Sequence, residues 1–165
     1  MAEILIDGAP VHTLGNLPAT GSKAPAFGLV GADLAPVTSQ SLAGRRVVLN
    51  IFPSIDTGVC AMSVREFNAR AAALENTTVL CVSMDLPFAA ARFCGAEGLD
   101  GVVVASAFRS TFGKDYGVIM TDGPLEGLLS RCVVVLDTDS TVLYQQQVGD
   151  IVQEPDYEAA VAALA

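Results

Sequence analysis

The chain has 165 residues, 52% hydrophobic and 16% charged, which suits one domain with a substantial core and excludes a disordered chain. Eighteen acidic residues against nine basic ones give a net charge of −9, which opposes binding to nucleic-acid backbones and to anionic membrane surfaces. No apolar run approaches the roughly 18 residues of a membrane span, and Met1-Ala-Glu-Ile-Leu-Ile-Asp-Gly8 carries no basic segment leading into an apolar one, so a cytoplasmic protein is expected.

In chain order, Glu3 to Leu14 holds two short apolar runs around Asp7-Gly8, which predicts an N-terminal hairpin. Pro18, Gly21 and Pro25 mark an irregular connection. Arg46 to Phe52 is a near-continuous apolar run, the pattern of a central strand buried on both faces. After Pro53 the period changes. Val64, Phe67, Ala71 and Leu74 recur at steps of three and four, predicting a helix from about Gly58 to Glu75. Thr77 to Ser83 reads as the next strand. Asp85 followed by Pro87 reads as a cap and a helix start, and Gly95 as that helix's end, with Cys94 in its last turn. Val102 to Ala105 is a strand and Phe108 to Tyr116 a short helix. Arg131 to Asp137 and Thr141 to Val148 are antiparallel strands around a turn at Thr138-Asp-Ser140, and Pro155 opens a C-terminal helix. The expected order is a hairpin followed by β-α-β-α-β-α-β-β-α. It predicts one α/β domain over residues 1–165 with residues 1–17 as a hairpin extension: a thioredoxin-like fold with a mixed central sheet flanked by helices.

Four cysteines occur, at 60, 81, 94 and 132, and the only histidine is His12. No C-x-x-C pair is present and no set of ligands has zinc-site spacing, so neither a metal nor a cofactor is expected. Such cysteines serve either as small buried hydrophobes or in redox chemistry. Cys60 stands where a buried strand stops at Pro53 and a helix begins near Thr57. Unpaired N–H groups and the positive end of the helix dipole favour a thiolate there. Thr57 can cap the helix or hold a substrate oxygen against the sulfur. Pro53 can equally be a plain strand terminator. Cys81, inside Val79-Leu-Cys-Val-Ser83, reads as a buried structural thiol. Cys132 alternates with Arg131 and so faces the other side of its strand.

Pro53-x-x-x-Thr57-x-x-Cys60 resembles the active-site signature of peroxiredoxins. The longer string Asn50-Ile-Phe-Pro-Ser-Ile-Asp-Thr-Gly-Val-Cys60 is similar to their thiol peroxidase branch, as are Asp85-Leu-Pro-Phe88, Arg92-Phe-Cys-Gly-Ala-Glu-Gly98 and Glu154-Pro-Asp-Tyr-Glu158. The resemblance spans essentially the whole chain. It implies that Cys60 attacks a peroxide and becomes a sulfenic acid, and that Cys94 resolves it as an intramolecular disulfide. It further implies that Thr57 and Pro53 orient substrate and shield the sulfur, while Arg131 favours the thiolate and stabilises developing charge. The substrates it implies are hydrogen peroxide and organic hydroperoxides, the reductant thioredoxin, the assembly a homodimer. Phe88 and Phe93 are candidate apolar liners of the substrate pocket. Cys132 matches no position of the family pattern. The alternatives are a dithiol oxidoreductase, which the missing C-x-x-C disfavours, a peroxide-sensing redox switch without sustained turnover, and an inert domain in which Cys60 and Cys94 never pair.

Overall fold

The computed structural model describes residues 1–165. Strands β1 (Glu3–Ile6) and β2 (Ala9–His12) form the N-terminal hairpin. Asp7 and Gly8 take φ of 48° and 83° between them, the left-handed pair that an Asp-Gly hairpin turn requires. Two short strands follow that the expected order lacks, β3 (Gly28–Gly31) and β4 (Pro36–Thr38). They are four and three residues long, too short to show a period, and Pro36 is tolerated because β4 lies at the sheet edge.

The remaining elements are β5 (Arg46–Ile51), α1 (Gly58–Ala71), β6 (Thr77–Ser83), α2 (Pro87–Glu97), β7 (Val103–Ser106), α3 (Phe112–Asp115), β8 (Cys132–Leu136), β9 (Val142–Gln147) and α4 (Tyr157–Ala162). Seven strands make one mixed sheet in the order β4-β3-β7-β6-β5-β8-β9. β5, β6 and β7 run parallel, while β8 lies antiparallel against β5. The mixed thioredoxin-like sheet with flanking helices and a hairpin is therefore as expected.

Three helix boundaries are corrected. α1 stops at Ala71 rather than Glu75, and turns then reverse the chain through Asn76, at φ 47°, into β6. α2 runs through Gly95 and ends at Gly98, whose φ of 66° is the left-handed terminator. α3 is confined to Phe112–Asp115: the Phe112 N–H, which a helix begun at Phe108 would direct to the Phe108 carbonyl, is taken by the Ser110 hydroxyl.

Alternation along the strands builds two cores. Leu49, Ile51, Leu80 and Val82 pack with Phe112 and Tyr116 on one face. Val48, Phe52, Val79 and Cys81 pack with Val64 and Phe67 of α1 on the other. A third, small cluster of Ile4, Val11, Met120 and Ile151 seats the hairpin, and the Asp150 carboxylate accepts the N–H groups of Asp7 and Gly8 at 3.0 Å each. The C-terminal ends of the parallel strands and the start of β8 thus meet at one end of the sheet. No helix is long and apolar enough to cross a membrane.

Candidate active site

β5 runs into Phe52 and Pro53, and Thr57 is the last extended residue before α1, with φ −98° and ψ 146°. Cys60 is therefore the third residue of the helix, within the turn whose N–H groups lack intrahelical partners. Its side chain is wholly buried in the α1-facing core. Asn50 Nδ2 donates to Ser63 Oγ at 3.1 Å, and Ser63 Oγ donates to the Cys60 carbonyl at 2.7 Å. This chain of bonds fixes the first turn of α1 to the central strand.

Arg131 directly precedes β8, and because β8 pairs with β5 it arrives beside Cys60 from 71 residues away. Arg131 is 2% exposed. Nη2 donates to Cys60 Sγ at 3.2 Å and Nε to the Ile151 carbonyl at 2.8 Å. Nη1 is buried and has no partner, a strong donor left unsatisfied. Gln147 braces the arginine's backbone, with Nε2 3.0 Å from the Arg131 carbonyl.

Thr57 occupies the cap position, but its hydroxyl donates to the Ser54 carbonyl at 3.1 Å instead of capping α1. Thr57, Pro53 and Arg131 line a cavity of about 270 Å³ whose other walls include Ile6, Leu125 and Ile151. The structure thus gathers Cys60, Arg131, Thr57 and Pro53. It does not bring Phe88 or Phe93 to this cavity. Phe88 is 67% exposed on α2, and Phe93 packs on the α1-facing core beneath the Arg65 guanidinium. The liners lie far apart in sequence, and only the seating of the hairpin identifies Ile6 as one of them.

All four cysteines are free thiols in this structure. Cys94 lies in the last turn of α2, half-buried, on a separate groove with Asp33, Leu99 and Val102. Burial pushes its thiol above the ordinary range. Cys81 and Cys132 are fully buried, as read from their strand positions, and burial pushes both up to about 12. Asp85 departs from its expected role. The residue capping α2 is Leu86, without a side-chain bond, and the Asp85 carboxylate reaches across to Ser54 and Ile55 in the loop before Cys60. An Asp two residues before a proline signals a cap equally well, so the sequence holds no mark of this contact.

A buried thiol at the start of the helix after the central strand, with a guanidinium on its sulfur, defines the site of a thioredoxin-fold thiol protein. The comparisons with known proteins narrow the class. The family model "Redoxin" matches residues 19–161. The chain is 58% identical to a thiol peroxidase of Mycobacterium tuberculosis and 55% identical to one of Corynebacterium glutamicum, each alignment covering 99% of both chains. Among solved structures, a peroxiredoxin-like protein from Aquifex aeolicus superposes with a TM-score of 0.94 at 35% identity, over 99% of this chain and 96% of that one. The chain belongs to the redoxin family, in the thiol peroxidase branch of the peroxiredoxins.

Proposed function

We propose that this chain is a thiol-dependent peroxidase in which Cys60 reduces hydroperoxides and Cys94 resolves the product. The observation that carries the reading is the 3.2 Å bond from Arg131 to the Cys60 sulfur at the start of α1. A buried guanidinium and the helix dipole both stabilise negative charge on sulfur. The thiolate attacks the nearer peroxide oxygen, the O–O bond breaks, and Cys60 becomes a sulfenic acid. The alkoxide or hydroxide leaves and takes up a proton. The free Nη1 of Arg131 supplies a donor for the oxygens as charge develops, and Thr57 and Pro53 hold the reactants together on the cavity wall. Ile6, Leu125 and Ile151 make that cavity apolar enough for the tail of an organic hydroperoxide as well as for hydrogen peroxide.

Cys94 then attacks the sulfenic sulfur and water leaves, giving an intramolecular disulfide. Cys60 is wholly buried in the α1-facing core, whereas Cys94 borders a groove that Cys60 does not line, and bonding needs Cα atoms within about 7 Å, so closure calls for local rearrangement. α2 is the element suited to yield. It buries only Pro87 and Ala90, against five residues for α1, and few buried contacts mean a low cost of local opening. A dithiol of the thioredoxin type returns the disulfide to two thiols by exchange and is itself oxidised. A homodimer completes the reading, supported by Leu86, Phe88 and Phe108, which are exposed around the site end of β6 and β7.

The test is NADPH oxidation with thioredoxin, thioredoxin reductase and hydrogen peroxide. Wild type turns over continuously, Cys60→Ser does not react, and Cys94→Ser consumes about one equivalent and then accumulates sulfenic and sulfinic acid. Wild type that stops at one equivalent despite reductant is a redox switch, not a peroxidase. Sustained turnover by Cys60→Ser removes Cys60 from the chemistry.

A further inference from the structure

Asp85 sits between the two cysteine-bearing segments, after β6 and two residues before the proline that starts α2. Its Oδ1 accepts the Ser54 hydroxyl at 2.8 Å. Its Oδ2 accepts the Ile55 N–H and the Ser83 hydroxyl, each at 2.7 Å. The Asp85 backbone is held as well: its N–H donates to Ser83 Oγ at 3.2 Å and its carbonyl accepts the Ser106 hydroxyl from the end of β7. One residue therefore ties the ends of β6 and β7 to the loop that delivers Cys60. The tie extends toward the catalytic groups, because Ser54 offers its carbonyl to the Thr57 hydroxyl and Ile55 is buried in the core cluster that holds Cys60. Two exposed ion pairs join the same segments, Asp56 with Arg92 at 3.1 Å and Arg65 with Glu97 at 2.8 Å. Exposed pairs are weak, whereas a carboxylate accepting three short bonds at a partly buried position is a strong clasp.

We propose that Asp85 is a positioning residue for both half-reactions, holding the Cys60 loop in its attacking geometry and delaying release of the Cys94 segment until the clasp opens. The inference rests on the peroxidase reading above. With the clasp closed, Thr57 and the first turn of α1 are held where a peroxide meets the sulfur. With it open, the loop loses the Ile55 anchor while the chain entering α2 loses its tether, and the two sulfurs approach. Asp85 touches neither substrate nor the reacting atoms. It acts through Ser54, Ile55 and the start of α2.

The two steps are expected to respond in opposite directions. In Asp85→Ala and Asp85→Asn, the second-order rate of Cys60 oxidation by hydrogen peroxide, measured by rapid quench and mass spectrometry, falls at least about tenfold, the loss of roughly one charge-assisted bond. Conversion of the sulfenic acid to the Cys60–Cys94 disulfide, timed by dimedone trapping, becomes several-fold faster, and sulfinic acid formed in excess peroxide falls in proportion. Val142→Ala, in the core at the far end of the sheet, controls for general loss of stability. Oxidation of the Asp85 variants at the wild-type rate overturns the proposal. So does a slowing of both steps, or the same pattern in Val142→Ala at an equal drop in Tm. If wild type itself forms no Cys60 sulfenic acid, the peroxidase reading fails instead, which separates the two outcomes.

Discussion

At the scale of single residues, the site is governed by what surrounds one sulfur. Arg131 is buried, spends Nε on the Ile151 carbonyl and Nη2 on Cys60, and keeps Nη1 without a partner. Hydrogen bonds to charged groups contribute about 1.5–3 kcal/mol, which is about 10- to 150-fold in rate. Arg131→Ala is therefore expected to slow both peroxide attack and iodoacetamide alkylation of Cys60 at neutral pH by that factor. Arg131→Lys keeps the charge but loses the planar fork and falls between. Alkylation at the wild-type rate in both variants shows that Arg131 only packs. Cys81 and Cys132 do not share this activation, since burial holds both as thiols.

Among the elements, the hairpin is docked in part through a histidine–carboxylate pair. His12, at the end of β2, places Nδ1 2.7 Å from the Asp122 carboxylate and Nε2 3.5 Å from Glu3. The hydrogen bond to Asp122 raises the His12 pKa above its ordinary value, and the same bond lowers that of Asp122. A raised histidine stabilises the fold fully below its unfolded pKa of about 6.5 and loses that contribution as pH rises through the folded value. A depressed carboxylate contributes above its unfolded pKa of about 3.9 and loses it as pH falls through the folded one. The charged pair is complete between these limits. The difference in Tm between wild type and His12→Gln is thus expected to be largest near pH 5–6 and to shrink as pH rises past the histidine's raised value. Equal differences at about pH 6 and pH 9 refute it. Ile6 of the same hairpin lines the cavity that Pro53, Thr57 and Arg131 also border, so its docking bears on the shape offered to bulky hydroperoxides.

For the whole molecule, a chain carrying −9 must associate against its own charge, so any dimer rests on apolar contact. Leu86, Phe88 and Phe108 are 52%, 67% and 39% exposed around the site end of the sheet, and burying a large apolar side chain contributes about 1.5–3 kcal/mol. Sedimentation at micromolar concentration is expected to show a species of twice the 17.0 kDa chain mass. Added salt screens the repulsion and leaves that species intact or strengthens it. A single 17.0 kDa species under both conditions refutes the homodimer.

The sequence by itself determined whatever is encoded within a span of about a dozen residues. Asp7-Gly8 specified a hairpin turn, Arg46 to Phe52 a buried strand, Pro87 a helix start, and Pro53 to Cys60 a thiol at a helix beginning. Turn chemistry and hydrophobic period act on neighbours, so these features need no partner elsewhere. The tertiary structure decided everything that depends on which distant segment lies alongside. Residue types alone placed Arg131 near no particular cysteine, and only the family likeness matched it to Cys60. The antiparallel insertion of β8 against β5 brings it there. The same dependence made Asp85 look like a cap, hid β3 and β4, and turned Phe88 and Phe93 away from the cavity that Ile6 and Ile151 line. A side chain's identity is local, but its direction and its partner follow from sheet order and helix docking, which are fixed only when the two cores close.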